Sequence, residues 1–338
     1  MREPAFWYRP ASWKSHLLKP LAALYGAVAA HRLTRKGLNA GIPVLCIGNY
    51  HGGGAGKTPT VLALAGLLRE LGETPVVLSR GYRGRLRGPV RVDAARHSAA
   101  DVGDEPLMLA QSVPVVVSRQ RADGVALARS LAASVILMDD GFQNPAVAKD
   151  ASLIVVDSAR GIGNAQVMPS GPLRAPLAAQ IARTDALVVI GDGSAADGVA
   201  GSIARQGKPV LRARFKPDER SLAALRGKRV LAFAGIGDPE RFFATLRDSG
   251  VDVASTRIFA DHHPLNPDEV ASLVAEAESN DLALVTTEKD LARLRTPEGL
   301  PDWARAVVPL KVALEFDDVA ELRKFVSAQL FKAREVRR

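Results

Sequence analysis

The sequence has a single cysteine, Cys46, among 338 residues, so it cannot form a disulfide within the chain. Cysteine and histidine do not occur at the spacing of a zinc site either. These absences exclude a disulfide-rich secreted protein and a zinc-finger module. Cys46 lies in an apolar run, where we expect it to be a small buried hydrophobic residue in a reducing, cytoplasmic setting.

A hydrophobic run long enough to span a bilayer is also missing. The apolar stretch 17–30 has about 14 residues, whereas a transmembrane helix needs about 20. No small-residue cleavage site is evident, so we do not expect a signal peptide. Aromatic and basic residues flank the stretch within residues 1–40, which suits a helix in the cytoplasmic membrane interface. A soluble helix packed on the following domain is the alternative.

The chain lacks the signatures of helix-turn-helix, zinc-finger and RNP modules, so we do not expect it to bind nucleic acid. Its net charge of +9 nevertheless favours anionic partners, such as phosphates or anionic lipids, unless it serves solubility alone. The length suggests two domains. No internal repeat and no long low-complexity linker interrupts the sequence.

One stretch, Val44–Thr60, has the layout of a phosphate-binding P-loop: an apolar strand, a glycine cluster, Lys-Thr and a helical pattern. Glycines let backbone amides point at phosphate oxygens, and the helix N-terminus adds positive charge. Lys57 can reach the phosphates, and Thr58 can ligate Mg²⁺. His51 stands where the strict motif has glycine. An ordinary glycine-rich turn is the alternative, but such a turn does not require Lys-Thr. The predicted nucleotide-binding residues are Gly52, Gly53, Gly54, Ala55, Gly56, Lys57, Thr58 and Pro59.

Short apolar strands alternate with helical patterns from Val44 onward. The predicted strands are Val44–Ile47, Pro75–Leu78, Pro114–Val117, Val135–Met138, Leu153–Val156 and Ala186–Ile190, then Val210–Arg214, Val230–Ala234, Val251–Ile258, Leu282–Thr286 and Val307–Val312. Such strands indicate parallel sheets covered on both faces by helices. We therefore predict an α/β fold: an N-terminal membrane-interface segment (1–40), a P-loop NTPase-like α/β/α domain (41–217) and a smaller α/β/α domain (218–338).

Polar residues just after the strands are the candidate site residues, because ligands of such sheets bind beyond the carboxyl ends of the strands. Arg80 follows the second strand in an arginine-rich loop, which is otherwise typical of solvated surface. Asp104 and Glu105 can hold metal or accept a proton, or instead cap a helix. The fourth strand ends in Asp139 and Asp140, which resemble a Walker B element, with a plain turn as the alternative.

Three further stretches carry candidates of the same kind. Arg121 follows the third strand, and a proline-rich turn presents Arg174. His262 stands between an aspartate and a second histidine, and an aspartate beside a histidine can orient and charge it, although a surface loop is equally compatible. The stretch 286–290, TTEKD, can contact a nucleotide base or help to close a cleft.

Taken together and in order, IGNYHGGGAGKTP, SRGY, VGDEP, DDGFQ, SGPLR, DHH and TTEKD resemble the tetraacyldisaccharide 4'-kinase family of lipid A biosynthesis. These stretches span residues 47–290. The chain departs from the family pattern at His51, Gly52 and Ala55, where Thr, Val and Thr are more frequent, and at Arg83, where glycine is usual.

The resemblance implies ATP-dependent phosphorylation of the 4'-hydroxyl of a tetraacylated glucosamine disaccharide 1-phosphate, forming lipid IVA. It places the active site between the two domains, at the inner face of the bacterial inner membrane. Asp104 takes the hydroxyl proton, paired with His262 in preference to His263. The expected cofactors are ATP and Mg²⁺, and no obligate protein partner is expected. The expected metal residues are Thr58, Glu105, Asp139 and Asp140; the expected substrate residues are Asn49, Arg80, Arg121, Gln143 and Arg174.

A nucleotide-driven switch is the alternative from a different functional class. Such an ATPase or GTPase would be stimulated by a protein rather than by a lipid. It would carry a base-reading Asn-Lys-x-Asp motif, which TTEKD resembles only loosely.

Overall fold

The structure, a computed structural model, describes residues 3–296 and 299–337, so Met1 and Arg2 of the predicted N-terminal segment lie outside it. The strands are β1 (Val44–Gly48), β2 (Pro75–Ser79), β3 (Val90–Arg91), β4 (Val115–Val117), β5 (Val135–Asp139), β6 (Ala151–Asp157), β7 (Ala186–Ile190), β8 (Val210–Pro217), β9 (Arg229–Ala234), β10 (Asp252–Ile258), β11 (Ala283–Thr287), β12 (Val308–Leu310) and β13 (Val312–Phe316).

Helices connect most of these strands. The α-helices are α1 (Trp13–Leu17), α2 (Lys19–Thr34), α3 (Lys57–Glu70), α4 (Ala99–Val102), α5 (Asp104–Leu109), α6 (Arg121–Ser130), α7 (Leu177–Ala182), α8 (Asp197–Ala204), α9 (Glu219–Leu225), α10 (Pro239–Asp248), α11 (Pro267–Ser279), α12 (Glu288–Leu294) and α13 (Val319–Glu335).

The larger sheet has the strand order β13-β8-β7-β6-β1-β5-β2-β4-β3. The strands from β8 to β4 run parallel, and the edge strands β13 and β3 pair antiparallel to their neighbours. Helices α3, α5 and α13 pack on one face, and α6, α7 and α8 on the other. Because both faces are covered, the inner strands are apolar throughout, as the sequence pattern predicts. This arrangement puts β1, which leads into the P-loop, near the centre of the sheet.

The smaller sheet is parallel, with the order β10-β9-β11-β12. Helix α10 covers one face through Phe242, Phe243 and Leu246. Helix α11 covers the other through Leu273 and Ala277. The two sheets therefore have separate hydrophobic cores, and the carboxyl ends of their strands supply the loops described below.

The C-terminal part of the chain returns to the larger sheet. Strand β13 pairs antiparallel with β8, and Leu314, Phe316 and the apolar residues of α13 join the core beside α3. Residues 312–335 thus pack with the first domain, whereas the sequence pattern predicts residues 218–338 as one domain. Apolar spacing marks a strand but does not identify the strand with which it pairs.

Helix α2 packs on the first domain with its small residues. Ala22 and Gly26 are buried, and a Cβ on Gly26 would lie 3.4 Å from Pro176 Cγ. The large apolar residues of α1 and α2 are exposed instead: Trp13, Leu17, Leu21, Leu24, Tyr25 and Val28. Within the described residues, no helix has both the length and the apolar character needed to cross a bilayer.

Candidate active site

The P-loop joins β1 to α3 in a conformation that needs glycine. Gly56 has a φ of 91°, and a Cβ at this position would lie 2.5 Å from Ile190 Cδ1. Gly53, with a φ of 87°, accepts a hydrogen bond of 3.3 Å from Asn49 Nδ2. Any larger residue at position 56 would therefore clash with the sheet and strain the backbone.

His51, the departure from the usual loop, is buried and anchored. Its backbone forms an isolated bridge with Leu173, and its Nδ1 contacts the carbonyl of Gly52. Burial lowers the pKa of His51 to about 4, so its ring is neutral at pH 7. The histidine therefore adds no charge to the phosphate-binding loop.

Asp139 ends β5 beside β1 and is almost completely buried. Its Oδ2 accepts a hydrogen bond of 3.3 Å from Ser79 Oγ, and its Oδ1 has no hydrogen-bond partner among the described residues. Burial, together with the negative charges of Glu105 and Asp140, raises the pKa of Asp139 to about 7. Carboxylates crowded in this way, with one oxygen left over, fit a bound cation.

Asp140, the next residue, faces two cations. Arg174 Nη1 donates a hydrogen bond of 2.8 Å to Asp140 Oδ1, and Lys57 Nζ lies 3.9 Å from the same oxygen. Burial opposes ionisation of Asp140, but the charges of Lys57 and Arg174 outweigh it and lower the pKa of Asp140. Gln143 joins the cluster as a 3.4 Å acceptor from Arg174. Four residues predicted from three separate stretches therefore meet at the mouth of the P-loop.

Two of the predicted substrate residues are placed differently. Arg121 is 2% exposed and donates to the carbonyls of Asp139 (3.2 Å) and Ser118 (3.3 Å). Asn49 is fully buried beneath the P-loop, and its carbonyl accepts a 2.8 Å hydrogen bond from Gln143. In this structure the Arg121 guanidinium and the carbonyl of Asn49 therefore contact other residues at the strand ends. Arg80 is exposed at the end of β2.

A carboxylate and an imidazole from different domains meet across the cleft. His262 Nδ1 lies 2.7 Å from Asp104 Oδ2, although the two residues are 158 positions apart in the chain. His262 has a φ of 60°, which is uncommon for a non-glycine residue and is typical of functional sites. Burial alone would raise the pKa of Asp104, but His262, Lys289 and Arg293 together hold it below its usual range. Asp104 is thus ionised at neutral pH and available to accept a proton.

His263 has a different environment. Its Nε2 lies 2.9 Å from both carboxylate oxygens of Glu269, in the first turn of α11, and its ring stacks on Phe259. The structure therefore separates the two adjacent histidines, with His262 in the cleft and His263 at the start of a helix.

Further residues surround His262, and among them only Lys289, within TTEKD, was a candidate from the sequence. Arg83 Nη1 donates to the carbonyls of Asp261 (3.3 Å) and His262 (3.1 Å), and Tyr82 packs edge-on against the His262 ring. Lys289 and Arg293 of α12 reach the same carboxylate as His262. Their spacing of four residues on one helix was the available signal, since such residues share a face.

The chain is also similar to known proteins of one family. The family model described as tetraacyldisaccharide-1-P 4'-kinase matches residues 14–330. The chain belongs to this kinase family.

Close relatives are similar over their whole length. The tetraacyldisaccharide 4'-kinase of Bradyrhizobium diazoefficiens is 69% identical, covering 100% of this chain and 99% of the relative. That of Nitrobacter winogradskyi is 67% identical, covering 99% of each. A crystal structure of LpxK from Aquifex aeolicus in complex with ATP has a TM-score of 0.72 at 26% identity, covering 94% of this chain and 99% of that one.

Membership of the tetraacyldisaccharide 4'-kinase family establishes the reaction class. The chain is a transferase of lipid A biosynthesis that phosphorylates the 4'-hydroxyl of a tetraacylated disaccharide 1-phosphate. The likeness to LpxK also confirms the P-loop NTPase-like α/β fold predicted from the sequence.

Proposed function

We propose that this kinase holds ATP in the P-loop and transfers its terminal phosphate to the sugar hydroxyl, with Asp104 as the general base. The observation that carries the proposal is the 2.7 Å contact between Asp104, the first residue of α5, and His262, in the loop after β10. The ATP complex of LpxK from Aquifex aeolicus supports the choice of nucleotide. In phosphoryl transfer the rate acceleration comes mainly from positioning the reactants and neutralising their charge.

The phosphate end of the nucleotide would lie against Gly52–Thr58, with Lys57 as its cation and Pro59 in the first turn of α3. Backbone amides of the loop and the N-terminus of α3 favour the anionic phosphates. The Lys57 side chain is 11% exposed, so its charge is only partly screened by water. These groups neutralise the negative charge that develops as the phosphate moves.

Mg²⁺ is the metal that the donor set suits. Thr58, Glu105 and Asp139 would hold it together with nucleotide phosphates, and the partnerless Asp139 Oδ1 is the observation that fits. Among the described residues no group of three histidine, cysteine or acidic side chains forms a cage, which suits a cation that shares its ligands with phosphates. Asp140 would orient Lys57 and Arg174 instead. When bound, the metal supplies charge neutralisation for the transferred phosphate.

Asp104 would accept the proton of the 4'-hydroxyl while His262 fixes its orientation. A sugar hydroxyl is a poor nucleophile at neutral pH, and a positioned base supplies about 10²–10⁴-fold in rate. The anionic disaccharide would meet Arg174, Gln143 and the exposed Arg80. Arginine is suited to phosphate oxygens because its guanidinium offers paired donors.

The decisive experiment is a transfer assay with purified protein, labelled ATP and a panel of acceptors. We expect label to reach the tetraacylated disaccharide 1-phosphate only when Mg²⁺ is present. Rapid ATP hydrolysis with no transfer to this lipid would contradict the proposal and favour a nucleotide-driven switch.

The two adjacent histidines allow a direct test of the pairing between Asp104 and His262. We expect His262→Ala to lower kcat by about 10–100-fold, because the base loses the partner that orients it. His263→Ala removes the contact with Glu269 and the stacking on Phe259, and is expected to cost about 1 kcal/mol of stability. Steady-state kinetics and thermal unfolding of both variants separate the two effects. A larger kinetic loss in His263→Ala would exclude His262 as the partner.

We further propose that α1 and α2 lie in the cytoplasmic surface of the inner membrane. Leu17, Leu21, Leu24 and Val28 are each more than half exposed and recur at helical spacing, so they form one apolar stripe. The small residues of α2 face the protein instead. A soluble amphipathic helix would bury its large apolar residues against the protein, so the opposite orientation seen here suits burial in lipid.

This arrangement predicts a loss of membrane affinity when the stripe is charged. We expect Leu21→Glu with Leu24→Glu to weaken binding to anionic vesicles by about 10-fold or more, because two apolar side chains no longer enter the lipid. Vesicle flotation measures the effect. Val319→Glu, on the half-exposed surface of α13, is the matched control. Equal flotation of the double variant and the control would remove the stripe as the membrane contact.

A further inference from the structure

Helix α12 places two cations against the carboxylate that we assign as the base. Lys289 and Arg293 are four residues apart, so they lie on the same face of the helix. This face packs against α5, the helix of the first domain that begins at Asp104. The two cations are therefore second-domain residues that contact the first domain at its proposed catalytic residue.

Lys289 lies among four polar groups of the cleft. Its Nζ is 3.1 Å from Glu105 Oε1 and 3.3 Å from His262 Nε2. It is also 3.9 Å from a carboxylate oxygen of Asp104 and of Asp261. The Lys289 ammonium therefore lies beside Asp104 and His262, and beside the acidic residue that adjoins each of them in the sequence.

Arg293 connects Asp104 to the interior of the second domain. Its Nε lies 3.1 Å from Asp104 Oδ2, and its Nη2 lies 2.8 Å from Asp290 Oδ1. Nη2 also donates a 2.8 Å hydrogen bond to the carbonyl of Gly235, at the end of β9. The Arg293 guanidinium is therefore held in place by the smaller sheet. The position of the Asp104 carboxylate thus depends on the position of that sheet.

Asp290 is itself held in place. It is 6% exposed, and it accepts hydrogen bonds from Thr287 Oγ1 (2.7 Å) and from the amide of Gly235 (3.1 Å). A buried and satisfied carboxylate of this kind fixes the geometry of its cation. The stretch TTEKD, predicted to contact a nucleotide base or help to close a cleft, therefore supplies the anchor for Arg293.

The two oxygens of Asp104 are held from different domains. Oδ1 accepts a 2.9 Å hydrogen bond from the amide of Glu105, on its own helix. Oδ2 faces His262, Arg293 and Lys289, all from the second domain. Since the domains have separate hydrophobic cores, these polar contacts set the orientation of the carboxylate.

We propose that Lys289 and Arg293 are positioning residues of the kinase reaction, which hold Asp104 and His262 in line with the acceptor hydroxyl. This inference rests on the proposed role of Asp104. Both cations contact Asp104, and Lys289 also contacts His262, so we expect their loss to act on the chemical step more than on the affinity for ATP.

The first test is the division of the effect between kcat and KM. We expect Arg293→Met and Lys289→Met to lower kcat by about 10–100-fold while the KM for ATP changes by less than about threefold. Arg293→Lys and Lys289→Arg keep the charge and are expected to recover part of the loss. Lys324→Met, at an exposed position of α13, is the matched control. Unchanged kcat in folded Met variants, or no recovery in the conservative ones, would overturn the inference.

The second test combines each substitution with Asp104→Asn. If Lys289 and Arg293 act through Asp104, removing either one lowers kcat little once the carboxylate is gone. The double variant is then expected to have the same kcat as Asp104→Asn alone. If the two substitutions lower kcat independently, so that their effects multiply in the double variant, the cations act elsewhere and the inference is overturned. An Asp104→Asn variant with full activity would instead remove the proposed base itself, so the two failures are distinguishable.

Discussion

Replacing Asp104 with asparagine is expected to lower kcat by about 10²–10⁴-fold, because the amide cannot accept the proton of the sugar hydroxyl. The KM for ATP should change little, since Asp104 starts α5 and lies outside the glycine loop. Asparagine keeps the size of the side chain and can still accept from the amide of Glu105. The loss should therefore appear in the chemical step and not in folding.

Asp101→Asn is the matched control for this variant. Asp101 is buried three residues upstream, where it pairs with Ser98 and Arg85 at the start of α4. Its substitution should cost about 1 kcal/mol of stability as a lost cap and leave kcat near the wild-type value. Single-turnover transfer of labelled phosphate measures both variants. An unchanged rate for Asp104→Asn would exclude it as the base.

Replacing Lys57 with alanine is expected to lower kcat by about 10²–10³-fold or more, because the loop loses the cation that stabilises charge on the transferred phosphate. The structure adds a second reason. Lys57 is 3.9 Å from Asp140, whose pKa it helps to lower, so its removal also disturbs the cluster with Arg174.

Lys208→Ala provides the control for Lys57→Ala. Lys208 is a partly buried lysine before β8 that donates a 2.8 Å hydrogen bond to the carbonyl of Ile181, on the far side of the sheet from α3. It should retain turnover in the same lipid-transfer assay. Near-normal turnover in Lys57→Ala would refute the assignment of the loop as the phosphate site.

Local structure could be predicted well because its causes are local. The strand predicted at Ala186–Ile190 has the observed bounds, and helices α10 and α11 each begin at a proline of the sequence. Proline at the first helical position, an acidic or amide cap and a continuous apolar run each act within a few residues. The P-loop was identifiable for the same reason, since glycine, lysine and threonine are adjacent in the chain.

Burial of polar side chains could not be predicted in this way. Arg121 follows a strand as a ligand-binding arginine would, yet it lies beneath the carbonyl of Asp139. Asp139 and Asp140 are neighbours in the sequence, yet their surroundings differ. Among the described residues, Asp139 Oδ1 has no hydrogen-bond partner, whereas Asp140 pairs with Arg174. Their difference depends on which neighbours the folded sheet places around each carboxylate.

By itself, the sequence determined the alternation of strands and helices, the phosphate-binding loop and the family. Those features depend on the order of residues along short segments. Only the tertiary structure decided that His262 meets Asp104, that Lys289 and Arg293 brace the pair, and that β13 returns to the larger sheet. Contacts between residues more than 100 positions apart depend on how the two sheets pack, which local patterns do not specify.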